Sequence, residues 1–291
     1  MTKTVHKIYI ASFFLITIFA TLLLTIDGYK YYSAPVEERF FLPQDVLLKS
    51  SGFIGHGIGI IGSLLMIIGV ASYMLRKRVK VFHKYGFLKH WLEFHIFLCT
   101  LGPILVLFHT AFKFGGIVAV SFWSMVAVVL SGVIGKFLYA QIPHTIQGQM
   151  VSFNELNSQN ENLSHQLRDE FHIPEKILSS IESLSSIQRY KKVNLKTGFI
   201  FITKDSFGIK NVIKNLRNEL ILSKMPKKER NTIIKTAKSK LIISRRIGLL
   251  HTMQKLFNYW HIVHLPFAVT MFIIMVVHII VEIVFGYKWV F

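Results

Sequence analysis

Apolar residues gather into five runs along this chain, at 8–26, 53–75, 94–112, 114–135 and 261–281, and none of the runs contains Lys, Arg, Asp or Glu. Each is 19 to 23 residues long. As a helix, such a run crosses a hydrocarbon core about 30 Å thick, so five transmembrane helices are predicted. The first run is longer than the apolar stretch of a signal peptide. It ends in Ile26-Asp27-Gly28-Tyr29, without a small-x-small cleavage site, and is read as a helix.

Between the fourth and fifth runs the pattern changes to polar residues with helical periodicity. Val151 to Phe171 carries Leu156, Leu163, Leu167 and Phe171 on one face, and Pro174 with Glu175 opens a second helix reaching about Arg189. Thr197 to Thr203 is short and rich in β-branched residues and reads as a strand or a turn. Pro226 takes the first position of a long helix, in which Ile233, Ala237, Leu241, Leu249, Met253 and Leu256 keep an apolar stripe up to the fifth run. The expected organisation is four spans in 1–140, a mostly helical basic insertion in 141–259, and the fifth span with an outer C-terminus in 260–291. The fold class is all-α integral membrane, with spans two to five forming a four-helix bundle.

Composition agrees: 52% apolar residues, a positive mean hydropathy and 25 Phe in 291 residues exclude an ordinary soluble domain. Charge adds an orientation, because cytoplasmic loops retain Lys and Arg. With the N-terminus inside, 29 of the 34 basic residues fall on one side, leaving Lys30, Arg39, Lys49, Lys113 and Lys288 on the other. A multi-pass protein of the inner cell membrane is expected, N-terminus inside and C-terminus outside. The net charge of +19 lies in loops that abut the membrane and has no zinc-finger or helix-turn-helix spacing, which points to anionic lipid and away from nucleic acid. Within the insertion, Thr145–Ser185 has 2 basic and 6 acidic residues and Ser186–Tyr259 has 18 and 3. This suits either antiparallel charge pairing between the halves, with a surplus basic face left for lipid or an acidic partner, or a solvated charged surface. The single cysteine, Cys99, excludes an intramolecular disulfide, a thiolate cluster and covalent haem attachment.

Of 13 histidines, four stand inside spans in a repeated arrangement: His95 and His109 in the third, His264 and His278 in the fifth, each pair 14 residues apart. Fourteen residues turn a helix by about 1400°, within about 40° of four full turns, and climb about 21 Å. Each helix therefore shows two imidazoles on one face, one near each membrane surface. Both spans run from inside to outside, so His95 lies level with His264 and His109 with His278. Haem iron leaves two axial positions open, and one imidazole from each facing helix fills them. The expectation is two non-covalent haem b groups with these four histidines as iron ligands.

The remaining candidates are secondary. His56, near the outer end of the second span, suits hydrogen bonding to a propionate or a quinone, or plain packing. His261, one turn before His264, suits the same hydrogen-bonding role or could replace His264 as ligand, although its partner 14 residues on would be Met275. His90 and His144 read as interfacial structural residues, and His6, His83, His165, His172 and His251 as loop or surface residues. Gly102-Pro103 and Pro266 would give room to a macrocycle, or serve plain helix packing. Arg76, Lys77, Arg78 and Lys89 inside, and Arg39, Lys49 and Lys113 outside, are candidate partners for propionates. A competing reading is zinc or iron transport or sensing through His56, His109, His278 and Glu282, and a third is a membrane anchor with incidental histidines.

The two His-x13-His pairs, two spans apart, resemble the ferric-reductase-like and NADPH-oxidase-like transmembrane domain over 53–140 and 258–286. Trp260-His261-Ile262-Val263-His264-Leu265-Pro266 and Ser131-Gly132-Val133-Ile134-Gly135-Lys136-Phe137-Leu138-Tyr139 are also similar to segments of bacterial diheme membrane proteins. The resemblance implies electron transfer across the bilayer. Two departures are the long insertion before the last span and the chain stopping at Phe291, where the family often continues into a flavin and NADPH domain. The donor is therefore expected to be a separate flavoprotein, iron–sulfur protein or quinol, with an acceptor on the outer side. The chain is then an electron-transfer subunit of an oxidoreductase.

Overall fold

The computed structural model describes residues 2–143, 151–171, 173, 175–185, 198–223 and 225–285. His144, His172, Pro174, Arg189, Thr197 and Lys288 lie outside them. Among the described residues the structure is all helix and turn, without a strand. The longer helices are α1 (Lys3–Ser33), α2 (Phe53–Arg78), α3 (Leu88–His109), α4 (Gly116–Gln141), α5 (Phe153–His165), α6 (Glu175–Ser185), α7 (Gly198–Leu222) and α8 (Lys227–Val284).

Helices α1 to α4 and α8 are long and apolar enough to cross a membrane, consistent with a multi-pass membrane protein. They turn large apolar side chains outward, among them Phe14, Phe19, Ile134, Ile262 and Leu265. Soluble proteins rarely expose such continuous apolar surface. The helices overrun the charge-free runs because those runs measure only the hydrocarbon layer, and α8 continues unbroken from the insertion. Only α3 stops early, at His109, where Ala111 and Phe112 adopt left-handed backbone with φ of 49° and 59°. The threonine hydroxyls of α1 return to the helix: Thr17, Thr21 and Thr25 donate to the carbonyls of Phe13, Thr17 and Thr21. This removes bare donors from an apolar surface.

The described residues fall into two compact units, one built from residues up to 134 and from 261 onward, the other from residues between 135 and 260. The second unit is a helical body with Leu167, Ile181, Leu216, Ile233 and Leu241 at its centre. Its residues 198–203 are the start of α7, and the expected strand or turn is not formed there. β-Branched residues cost a helix only tenths of a kcal/mol each, and the burial of Ile209, Leu216 and Leu220 on one face of α7 outweighs that. Among the described residues, the ion pairs Arg168–Glu182 (2.9 Å) and Arg245–Asp205 (4.0 Å) each join residues of the same half. The halves meet through apolar contacts and through Lys240 and Ser244, which donate to Ser164 and Asn160, and Lys240 also lies within electrostatic reach of Glu182. Burial holds the Lys240 ammonium below its usual range, and the charge of Glu182 offsets part of that effect.

In the first unit the closest helix pair is α2 against α3. A Cβ placed on Gly62 would lie 2.8 Å from the Gly102 carbonyl oxygen, and one on Gly102 would lie 2.7 Å from that of Gly62. The two backbones touch where neither has a side chain. Gly102 thus serves helix packing. Helix α1 leans on α3 through the stacked rings of Phe13 and Phe97, 4.2 Å apart. Arg39 is buried and donates to the carbonyls of Tyr32, Ala34 and Ala111, which pins the left-handed turn after His109.

Candidate functional site

Helices α3 and α8 place the four histidines on two levels of the first unit. At one level His109 and His278 line one cavity of about 480 Å³, together with His56, Glu282 and Lys113. At the other level His264 lies within electrostatic reach of both His95 and His261. The remaining cavity wall is largely apolar, with Met66, Phe122, Met125, Met271 and Met275 contributed by α2, α4 and α8. Methionine is unbranched and adapts to an irregular boundary. Among the described residues, α3 has no backbone approach to α4 or α8 comparable to its contact with α2. The cavity beside His109 and His278 is of the size that holds a bound group.

Three of the four histidines hydrogen-bond an oxygen through Nδ1. His95 Nδ1 lies 3.0 Å from the Gly69 carbonyl oxygen and His109 Nδ1 2.8 Å from that of Gly55. A carbonyl oxygen only accepts, so Nδ1 donates in both. His264 Nδ1 lies 2.6 Å from Ser131 Oγ, a hydroxyl that also reaches the Val128 carbonyl. His278 Nδ1 faces a Glu282 carboxylate oxygen at 3.8 Å. The carbonyl acceptors assign the lone pair to Nε2 in His95 and His109. It is the arrangement in which a metal-ligating imidazole is held by an acceptor behind it. The donor set suits an iron that takes one neutral imidazole from each side.

Glycine explains why these bonds form. A Cβ on Gly59 would lie 2.6 Å from the His109 ring, so a larger residue on α2 would displace that imidazole. Nothing in residue type announces that the Gly55 and Gly69 carbonyls are acceptors. Ser131 is different, since it and His264 lie in the two segments singled out by resemblance.

Two of the basic residues expected to face propionates are otherwise engaged. Arg39 holds the turn after α3, and Arg76 donates to the carbonyls of Tyr85 and Gly86. Lys113 remains on the cavity wall beside Thr110. His56 also lines the cavity, its ring centroid 6.3 Å from that of His109. Among the described residues, His56, His109, His278 and Glu282 do not converge on one point as a single ion would require. No family model, curated protein or solved structure matches this chain.

Proposed function

We propose that this protein is a multi-pass cytochrome b of the inner membrane, its N-terminus and insertion in the cytoplasm, that moves electrons across the bilayer between a separate cytoplasmic donor or quinol and an acceptor outside. His95 with His264 would hold the inner haem, and His109 with His278 the outer one. The observation that carries this reading is the pairing of His109 with His278 on one cavity and of His95 with His264 nearby, with Nδ1 of His95, His109 and His264 each hydrogen-bonded to an oxygen. Haem supplies a one-electron couple when bound, its potential tuned by the axial ligands and their hydrogen bonds. Gly69, Gly55, Ser131 and Glu282 orient the ligands from behind, and the methionine-rich wall keeps water from the space between the helices. Lys113 gives a carboxylate at the outer level a positive partner. The donor class is a flavoprotein, an iron–sulfur protein or a quinol, and the basic surface of the insertion suits anionic lipid.

Vesicles loaded with ascorbate and placed in ferricyanide test the function directly. Ferricyanide should be reduced only where the vesicles carry the protein, and a His95→Ala/His109→Ala variant should match empty vesicles. Equal rates with and without protein would contradict the reading. Ser131→Ala removes the acceptor behind His264 without adding bulk. It should shift the midpoint potential of one haem, leave the other in place, and weaken retention of the shifted haem by about 10- to 100-fold. A redox titration with both steps unmoved would remove His264 from the ligand set.

A further inference from the structure

We propose that His6, His90 and Glu93 form a binding site for a divalent transition ion of the zinc class at the N-terminal end of α1, separate from the four histidines described above. The three residues come from two helices, and their ligand atoms all lie within 4.8 Å of one another. His6 Nε2 lies 3.5 Å from one Glu93 carboxylate oxygen, and His90 Nδ1 lies 3.1 Å from the other. Tetrahedral zinc, with bonds of about 2.0–2.2 Å, sets its ligand atoms about 3.3 Å apart. The two imidazoles lie at about this distance from the two oxygens of one carboxylate, and one ligand atom from each residue lies within 4.8 Å of the others, a spread that small side-chain shifts would close.

The surroundings favour a built site over a chance cluster. His6 and His90 face each other with ring centroids 5.2 Å apart, and the Tyr9 ring lies against both. Tyr9 also donates to the His90 backbone carbonyl at 3.3 Å, which fixes α1 against the start of α3. His6 Nδ1 is buried and has no hydrogen-bond partner, so one nitrogen of this imidazole is open. The cluster remains reachable: side-chain exposure is 27% for His6, 25% for His90 and 12% for Glu93. Water can therefore complete the coordination. Lys89 Nζ lies 3.7 Å from Glu93, but that side chain is 64% exposed and free to swing into solvent when an ion arrives. Two imidazoles and one carboxylate favour a borderline ion such as Zn²⁺ over Mg²⁺ or Ca²⁺, which take oxygen ligands. Bound there, the ion would clamp the first membrane-length helix to the one that carries His95.

The test uses the full chain, purified as isolated without a histidine tag, stripped with EDTA and titrated with Zn²⁺ by calorimetry. One tight equivalent should appear. His6→Ala and Glu93→Gln should each weaken it at least about tenfold. His165→Ala, which breaks an exposed histidine–aspartate pair on the insertion, should leave it unchanged. Zinc at the inner or outer histidine pairs would survive both site variants, so that outcome overturns the proposal without touching the haem reading. X-ray absorption of the zinc-loaded wild-type protein gives a result independent of any variant's folding. Two imidazoles with oxygen ligands are expected, and a first shell lacking imidazole scattering would overturn the site.

Discussion

His264→Ala should remove one of two haems, and His95→Ala added to it should remove little more. Two imidazoles on one iron act as a unit, so the second loss falls on a site already broken. The outer pair should behave alike, with His109→Ala and His278→Ala each costing the same haem singly or together. Combining one ligand from each level gives the opposite result: His264→Ala with His278→Ala should leave the protein without haem. The measurement is haem per chain in purified variants, after extraction by acidic organic solvent, which releases groups not attached through cysteine. If His95→Ala and His264→Ala both keep two haems with unchanged spectra, His261 or His56 becomes the ligand. One haem surviving His95→Ala with His109→Ala would place ligands outside α3.

Gly102→Val should have the second large effect, although position 102 is not among the residues lining the cavity at His109 and His278. Its Cβ would lie 2.7 Å from the Gly62 carbonyl oxygen and 2.7 Å from Met66 Cγ. The backbone oxygen cannot move away without moving α2. Overpacking of this kind costs about 1–3 kcal/mol. Because His95 and His109 both rest on carbonyls of α2, forcing the helices apart should loosen both imidazoles together. The variant should melt at lower temperature and lose haem from both levels, whereas Gly132→Val, where a Cβ meets nothing within 4 Å, should do neither. Full haem content and unchanged melting in Gly102→Val would show that the α2–α3 contact does not set the ligand geometry.

The parts of this structure that could be read in advance are those governed by periodicity. Charge-free runs locate the membrane-length helices because a polar side chain in hydrocarbon is expensive, and the 14-residue spacing aligns His95 with His109 because 3.6 residues make a turn. The position of Pro226 and the apolar stripe after it foretell a helix that begins at Lys227 and continues to Val284. What could not be read depends on which neighbour is met. The Gly55 and Gly69 carbonyls leave no mark in residue type, and Gly102-Pro103 reads equally well as room for a macrocycle or as a helix contact. Arg39 and Arg76, charged residues at helix ends, look available until their carbonyl partners are seen. The start of α7 was misread because local β-propensity is weaker than the burial of Ile209, Leu216 and Leu220. The His6, His90 and Glu93 cluster joins residues more than 80 positions apart, and only packing brings them together.

The central claim is that the space between α3 and α8 holds two bis-imidazole haems. Absorption spectra of the purified protein, air-oxidised and then reduced with dithionite, with haem quantified against protein, test it most directly. The account predicts b-type spectra in both states and two haems per chain. A preparation that is folded and monodisperse but carries one haem per chain, or none, would contradict it.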